Sequence, residues 1–210
     1  MYFSKMTLDL RDTDSNIITN LVERGDYFFH QALWDVFQDA PARSFLYRRE
    51  DRNGQIFLYV LSETCPKESN VFIVQTKEFS LNMKTGTKLS FSLRANPTVS
   101  RQGKRCDIFM DTKHRMRQEG MSNYHADREE AAKDWLKRQA QNSGFKLSAV
   151  SVDRYCQKKV IGKQQLIQFS TIDYSGSLIV TDPGLFLAKL RKGFGREKAF
   201  GCGLMLIRRS

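Results

Sequence analysis

Cysteine and histidine are scarce in this chain of 210 residues, and their spacing excludes the common metal sites. The four cysteines lie far apart and form no CxxC pair, and only three histidines are present. This pattern argues against zinc ribbons, zinc fingers and a dense disulfide framework, and it predicts that the protein needs no metal or other cofactor. We therefore expect a protein of a reducing compartment, the cytoplasm.

Long apolar runs are also missing from the sequence. No run reaches the ~18 residues that a membrane-spanning helix needs, and no basic segment followed by an apolar one suggests a secretory signal. The apolar content of 40% is nevertheless enough for a packed core. The length fits one domain of moderate size or two small ones.

The excess of positive charge lies entirely in the second part of the chain. Residues 1–90 contain 11 basic and 12 acidic residues, a net charge of −1, whereas residues 91–210 contain 23 and 11, a net charge of +12. A basic region of this kind favours a polyanionic partner, of which nucleic acid is the commonest. A solvated basic face or an anionic protein partner is the alternative.

Hydrophobic periodicity and turn signals predict a similar order of elements in the two halves. Asn53-Gly54, between two β-rich runs, is a strong hairpin signal. For the first half we predict strands over 2–10, 44–49, 55–61 and 71–79, a polar stretch over 12–16, and a helix over 26–38 capped by Asp26. For the second half we predict strands over 88–95, 106–110, 145–155, 165–180 and 204–208, a loop over 112–127, and helices over 127–142, capped by Asp127, and 184–192.

This element order predicts an α+β protein built from two tandem ferredoxin-like, or RRM-like, domains of the β-α-β-β-α-β type. We assign residues 1–87 to the N-terminal domain, which contains the helix over 26–38. We assign residues 88–210 to the C-terminal domain, which contains a basic hairpin and a glycine-rich loop. The repeat is one of topology and not of residues.

His30 lies at the border of the apolar face of the first helix, a face formed by Phe29, Leu33, Val36 and Phe37. A histidine at such a border is partly desolvated and still reaches solvent, which suits a proton-transfer group. The alternative, which the pattern alone favours, is an imidazole packed at the edge of the core. Tyr27 lies on the same side of the helix.

Three further clusters could bind phosphates. The stretch 192–204 contains four glycines, Gly193, Gly195, Gly201 and Gly203, and three basic residues, Lys192, Arg196 and Lys198. Glycines let backbone N–H groups approach a phosphate closely. A glycine-rich turn into the last strand is an equally good interpretation. The second cluster consists of Arg94 at the end of a strand and of Arg101, Lys104 and Arg105 after it. The third is a basic hairpin tip with Lys158, Lys159 and Lys163. For these two clusters, solvated loops are the alternative.

Several of these segments together resemble the CasE (also called Cse3) endoribonucleases, which process CRISPR RNA in type I-E systems. The resemblance covers the whole chain. It rests on the segments Met1-Tyr2-Phe3-Ser4-Lys5, Tyr27-Phe28-Phe29-His30-Gln31-Ala32-Leu33-Trp34, Leu93-Arg94-Ala95-Asn96-Pro97, Gly103-Lys104-Arg105 and Gly193-x-Gly195-x-x-Lys198-x-x-Gly201-x-Gly203-Leu204. It also implies a tandem ferredoxin-like pair, in agreement with the element order.

The resemblance implies a metal-independent endoribonuclease that cleaves precursor CRISPR RNA at the base of the repeat hairpin. His30 and Tyr27 are then the expected catalytic residues, and the expected products carry a 2′,3′-cyclic phosphate and a 5′-hydroxyl. The family keeps its product and becomes a subunit of the type I-E Cascade complex, in which the guide RNA, and not this chain, reads the DNA.

The resemblance also gives roles to the basic clusters. Lys158, Lys159 and Lys163 would engage the RNA stem, Arg94, Lys104 and Arg105 would hold phosphates, and the loop with Gly195, Arg196, Lys198, Gly201 and Gly203 would lie near the cleavage site. A catalytically inactive subunit that only binds the RNA hairpin is the alternative function. An unrelated tandem RNA-recognition module is disfavoured, because its aromatic strand motif is missing.

Overall fold

The computed structural model describes residues 1–9, 15–38, 42–121, 125–162 and 166–209. Two four-stranded antiparallel sheets form its framework. The first sheet and its helices comprise β1 (Tyr2–Leu8), α1 (Ser15–Arg24), α2 (Asp26–Val36), β2 (Phe45–Arg52), β3 (Gln55–Ser62) and β4 (Phe72–Glu78). The remaining elements are β5 (Lys88–Ala95), β6 (Thr98–Arg101), β7 (Lys104–Asp107), α3 (Ile108–Gln118), α4 (His125–Gln141), β8 (Phe145–Ile161), β9 (Leu166–Val180), α5 (Pro183–Lys192), the 3₁₀ turn Lys198–Phe200 and β10 (Met205–Arg209).

Both sheets have the strand order of the ferredoxin-like fold. The first is ordered β2-β3-β1-β4 and the second β10-β5-β9-β8, so that in each the first strand of the unit lies between its third and fourth strands. The predicted fold class is thereby confirmed. One departure is that residues 63–71, which connect β3 to β4, contain no helix. This connection is short and contains Pro66, which disfavours a helix.

The apolar face of α2 packs on the first sheet as its periodicity predicts. Phe29 and Leu33 are fully buried, and Val36 and Phe37 are nearly so. Around them lie residues of all four strands, among them Met6. The hairpin between β2 and β3 is also confirmed, since Asn53 and Gly54 both have positive φ, 51° and 73°.

A larger core lies between the second sheet and its helices, and a small apolar cluster joins the two sheets. Helix α4 contributes Trp135 and Leu136 to the larger core, and α5 contributes Phe186. In the small cluster, Leu61 of β3 packs near Leu204, just before β10. The two sheets therefore contact each other through apolar side chains. No described helix is long and apolar enough to cross a membrane.

Four local predictions are wrong. The predicted loop over 112–127 contains most of α3, and the predicted strand over 106–110 ends at Asp107, whose carboxylate caps α3 by accepting a 2.8 Å hydrogen bond from the backbone N–H of Met110. Helix α4 begins at His125, so Asp127 lies inside its first turn. The N-cap of α2 is Gly25 and not Asp26. Helix α1, which was not predicted, begins at Ser15 and so overlaps the end of the predicted polar stretch.

The strand β8 is longer than its sequence pattern indicates. It continues to Ile161 and pairs with β9 along almost its whole length, so Lys158 and Lys159 lie on the strand and not at a hairpin tip. The third predicted lysine of the tip, Lys163, falls outside the described residues. Pairing with β9 keeps this segment extended, although its composition alone is typical of a turn.

Candidate active site

Helix α2 presents His30 toward the glycine-rich C-terminal segment, with Tyr27 beside it. The ring centroids of Tyr27 and His30 are 6.0 Å apart, and Trp34 lies edge-on to the imidazole at 6.4 Å. On its other side, His30 lies 5.8 Å from the ring of Phe200 in the 3₁₀ turn. Phe200 also stacks on Phe169 of β9. The imidazole thus lies where the two halves of the chain meet.

The surroundings of His30 favour a neutral imidazole. Desolvation by burial lowers its pKa below the ordinary value, the nearby Arg43 charge lowers it further, and a hydrogen bond with the backbone of Ala199 opposes both effects. The Nδ1 atom is buried and has no hydrogen-bond partner among the described residues. A neutral imidazole is able to accept a proton near pH 7.

Close packing accounts for two glycines of the C-terminal segment. Gly201 has a φ of 77°, and a Cβ there would lie 3.3 Å from the ring of Tyr47. Gly195 has a φ of 70°, and a Cβ there would lie 2.7 Å from the backbone oxygen of Asn96. Both positions therefore need glycine to form the turn itself. The hydroxyl of Tyr47 donates a 3.0 Å hydrogen bond to the carbonyl of Ala199, which holds this turn beside His30.

Arg94 is engaged within the protein. Its Nε and Nη2 donate to the two carboxylate oxygens of Asp173 at 2.7 and 2.9 Å, and its Nη1 donates to the carbonyl of Arg49 at 2.9 Å. Its carbonyl accepts a 2.7 Å hydrogen bond from the N–H of Gly203. Arg94 therefore joins β5 to β9, to β2 and to the glycine-rich segment.

The surroundings of Arg94 form what we call the paired cleft, a recess of about 300 Å³ in which the charges of opposite sign balance. Asp26, at the first turn of α2, accepts from Arg49 at 3.1 Å and from Lys158 of β8 at 3.1 Å. Arg49 also forms a bidentate pair with Asp51. The cleft is lined by the cations Arg49, Arg94, Arg154 and Lys158 and by the carboxylates Asp26, Glu50, Asp51 and Asp173.

The other predicted RNA-binding residues lie at separate places. Lys104 and Arg105 are exposed on β7, and Lys159 is exposed on β8. Arg196 and Lys198 line a second recess, and Lys198 belongs to the 3₁₀ turn whose Phe200 contacts the His30 ring. The structure therefore brings the glycine-rich segment and α2 together, and it leaves β7 apart from them.

The second recess contains two functional candidates that the sequence patterns did not single out, Arg43 and Lys189. Its volume is about 500 Å³. We call it the basic groove and define it by its five cations, Arg43, Lys189, Lys192, Arg196 and Lys198. A helical spacing of three between Lys189 and Lys192 could have indicated that they share a face of α5, but no local pattern marks Arg43.

No cluster of three His, Cys, Asp or Glu residues that could hold a metal ion occurs in the described part of the chain. The groups around His30 are instead suited to proton transfer and to anion binding. A neutral imidazole can move a proton, the phenol of Tyr27 is a second donor or acceptor, and Arg43 and Lys198 supply positive charge.

Comparison with known proteins identifies close relatives over the full length. The CasE subunit of the CRISPR system Cascade of Escherichia coli is 28% identical over 218 residues, covering 99% of this chain and 98% of that protein. A structure of the CRISPR endoribonuclease Cse3 bound to a 19-nucleotide RNA has a TM-score of 0.77 and 25% identity, covering 99% of this chain and 100% of that one. Cse3 of Thermus thermophilus, bound to an RNA representing a pre-cleavage complex, has a TM-score of 0.76 and 25% identity, with coverages of 99% and 98%. Since the family model described as CRISPR associated protein matches residues 1–209, the chain belongs to the CRISPR-associated proteins, and its resemblance to the CasE (Cse3) group is confirmed.

Proposed function

We propose that this protein is an endoribonuclease that cleaves CRISPR repeat RNA at the base of its hairpin without a metal ion. The observation that carries the proposal is His30, which lies half-buried on α2 between Tyr27 and Phe200 with a pKa lowered by burial and by Arg43. A group of this kind is suited to acid–base catalysis at neutral pH. The similarity to RNA-bound Cse3 supports the same substrate class.

In the proposed reaction, the RNA 2′-hydroxyl attacks the adjacent phosphorus and the bond to the 5′-oxygen breaks. The products are a 2′,3′-cyclic phosphate and a 5′-hydroxyl. Because His30 is neutral near pH 7, we assign it the role of accepting the 2′-hydroxyl proton. Tyr27, 6.0 Å away between ring centroids, is our candidate for orienting the imidazole or for protonating the leaving oxygen.

The charge that develops on the phosphate during attack needs nearby cations. Arg43 lies close enough to His30 to lower its pKa, and Lys198 belongs to the 3₁₀ turn that contacts the imidazole. Preorganised cations at such a position stabilise the transition state. They supply in this proposal the electrostatic role that a metal ion has in other nucleases.

The exposed lysines of β8 are the proposed contacts of the RNA stem. Lys159 is exposed, and Lys158 is partly exposed, with its Nζ held by Asp26 at the start of the catalytic helix. RNA binding at β8 is thereby linked to the position of α2. The described residues do not include Lys163, which we keep as the third proposed stem contact.

After cleavage, we propose that the protein retains the mature RNA as a subunit of a Cascade complex in the cytoplasm, as the name of its E. coli relative suggests. It would then meet target DNA only through the guide RNA. The second candidate function is an inactive subunit that binds the same hairpin. The ion pair of Arg94 with Asp173 does not distinguish the active enzyme from the inactive subunit, because both functions require the same fold.

The test is cleavage of the repeat hairpin RNA from the source's own CRISPR array, in EDTA, by the wild type, His30→Ala and His114→Ala. His114 is exposed on α3 and is the matched control. We expect His30→Ala to lose about 10²- to 10⁴-fold in single-turnover rate with little change in RNA affinity, and His114→Ala to cleave normally.

The product ends and the folded state of each variant are measured alongside. A cyclic phosphate on the wild-type product and an unchanged melting temperature for His30→Ala support the mechanism. Loss of wild-type cleavage in EDTA would contradict metal independence. Tight binding without cleavage by any of the three proteins would establish the inactive subunit instead.

A further inference from the structure

The basic groove contains an excess of positive charge that the protein itself does not neutralise. Five cations line it, and Glu197 is its one carboxylate. None of the five forms an ion pair with another described residue. The hydrogen bond from Lys189 Nζ to the side-chain oxygen of Gln139, 2.9 Å long, goes to a neutral group. The groove is therefore complementary to an anion that the free protein lacks.

Burial and repulsion by neighbouring cations make the charges of two groove residues, Lys189 and Lys198, costly to the free protein. Desolvation lowers the pKa of Lys189, and the charges of Lys192 and Lys198 lower it further. Desolvation likewise lowers the pKa of Lys198, with further lowering by Arg43, Lys192 and Arg196. An arrangement that destabilises the free state in this way is typical of a binding site for negative charge.

The groove begins at the candidate active site and continues away from it. Arg43 acts on the pKa of His30, and the 3₁₀ turn places Lys198 in the groove and Phe200 against the imidazole. A further recess of about 260 Å³ shares Arg43, Lys192 and Lys198 with the groove and adds Arg191. The cations thus follow a track that starts beside His30.

We propose that the basic groove binds the single-stranded phosphodiester backbone that flanks the hairpin next to the scissile phosphate, with Arg43 and Lys189 as new RNA-contacting residues beside Lys192. This inference rests on the proposed function. A duplex carries its phosphates on its outer surface, whereas the partly buried ammonium groups of Lys189 and Lys198 lie in a recess that a single strand can enter. Lysines on β8 remain the contacts of the stem.

The test compares Lys189→Gln/Lys192→Gln with the matched control Lys133→Gln/Lys137→Gln. The control removes two lysines of α4 that pair with Glu129, Glu130 and Asp134. Affinities are measured for two RNAs, the stem-loop alone and the stem-loop with its single-stranded flanks. Each RNA carries a 2′-deoxy nucleotide at the cleavage position so that binding is measured without cleavage.

For the flanked RNA, we expect the groove variant to lose roughly 10- to 30-fold in affinity near 0.1 M salt. The slope of log K against log[salt] should fall by about 1.4, because two single-strand phosphate contacts are lost. The stem-loop alone should bind the groove variant and the wild type equally, and the control variant should resemble the wild type with both RNAs.

Two results would overturn the groove assignment. If the groove variant loses the same affinity for both RNAs, these lysines contact the stem. If it loses affinity for neither RNA, the groove does not bind RNA, and an anionic protein is the partner to test next. Cleavage of unmodified RNA by the wild type is measured in parallel. If the wild type cleaves the RNA and the groove variant binds both RNAs with unchanged affinity, the groove assignment is wrong and the proposed function stands. If the groove variant loses affinity only for the flanked RNA and the wild type does not cleave, the proposed cleavage activity is wrong and the groove assignment stands.

Discussion

The paired cleft and the basic groove lie on two sides of the same 3₁₀ turn and differ in how their charges are balanced. Phe200 of this turn lines the paired cleft, and Lys198 lines the groove. In the cleft, Arg94 and Lys158 each have a carboxylate partner, whereas the groove has five cations and one carboxylate. The difference separates two uses of positive charge, which joins strands where it is paired and which, in our proposal, attracts phosphate where it is not.

The largest predicted effect is a loss of folding stability when the charge of Arg94 is removed from the paired cleft. Arg94 and Arg101 both form bidentate pairs with an aspartate, but the side chain of Arg94 is 22% exposed and that of Arg101 is 54% exposed. Arg94→Gln leaves Asp173 without its partner in a partly buried place, so we expect the free energy of unfolding to fall by about 3 kcal/mol. Arg101→Gln should cost much less, because solvent screens this exposed pair.

Urea unfolding of the two variants measures this difference directly. Similar losses for Arg94→Gln and Arg101→Gln would contradict the structural role of the paired cleft. If Arg94→Gln is fully folded and still binds RNA much more weakly, Arg94 contacts the RNA in addition to its structural role.

A smaller effect of opposite sign is expected for removal of charge from the groove. Lys198→Met keeps much of the apolar stem and removes a cation that burial and Arg43 disfavour, so it should stabilise the free protein by about 0.5 kcal/mol at pH 7 while it weakens RNA binding. Because the pKa of Lys198 is lowered on folding, the folded protein releases this proton first as the pH rises. The advantage of the variant over the wild type should therefore shrink toward pH 10.5.

Lys137→Met is the matched control for this pH dependence. The pKa of Lys137 is raised by its hydrogen bonds to Glu130 and Asp134, so its contribution to stability is present at neutral pH and is lost as the pH rises through the raised pKa. Melting temperatures of both variants and the wild type are measured from pH 7 to pH 10.5. The difference from the wild type should shrink with pH for Lys198→Met and stay constant for Lys137→Met, whose loss of stabilisation begins only above pH 10.5. The same pH dependence for both variants would contradict the distinction between paired and unpaired lysines.

The smallest predicted effect concerns the pH dependence of cleavage. Arg43→Gln removes a charge that lowers the pKa of His30, whereas burial, the larger cause, remains. If His30 accepts a proton, the rate falls on the acidic side below its pKa, and this limb should move to higher pH in Arg43→Gln while staying below the ordinary value near 6.5.

The single-turnover pH–rate profile measures this shift, with Arg191→Gln as the control. Arg191 is an exposed cation of the adjoining recess and is not among the groups that shift the His30 pKa. If the acidic limb of the Arg43→Gln profile does not move, the charge of Arg43 does not act on the pKa that controls the rate. A rate that falls toward alkaline pH with the His30 pKa would make His30 the acid.

Local patterns predicted those parts of the fold that depend on neighbouring residues. The apolar period of α2 and the Asn53-Gly54 turn are local, and both are confirmed. Helix α3 was missed because its residues are mostly polar and its cap, Asp107, lies in a stretch that looks like a strand. The length of β8 was missed because it depends on pairing with β9.

In the candidate site, too, some features follow from sequence spacing and others depend on residues that are distant in the sequence. His30 and Tyr27 share one helix, so their proximity follows from spacing alone. The bond between Arg94 and Asp173 joins residues 79 positions apart, and the effect of Arg43 on His30 depends on the tertiary fold. Sequence could therefore indicate basic residues but could not tell which of them the protein neutralises itself.

Photocrosslinking of RNA tests the central claim most directly, namely that His30 lies between a stem surface on β8 and a single-strand surface in the basic groove. A photoreactive nucleotide is placed either in the flank beside the cleavage position or in the stem, and the crosslinked peptides are identified by mass spectrometry. We predict that the flank crosslinks to peptides that contain Lys189, Lys192 or Lys198, and that the stem crosslinks to peptides with Lys158 or Lys159. Flank crosslinks confined to β8, with none in the groove, would contradict the account.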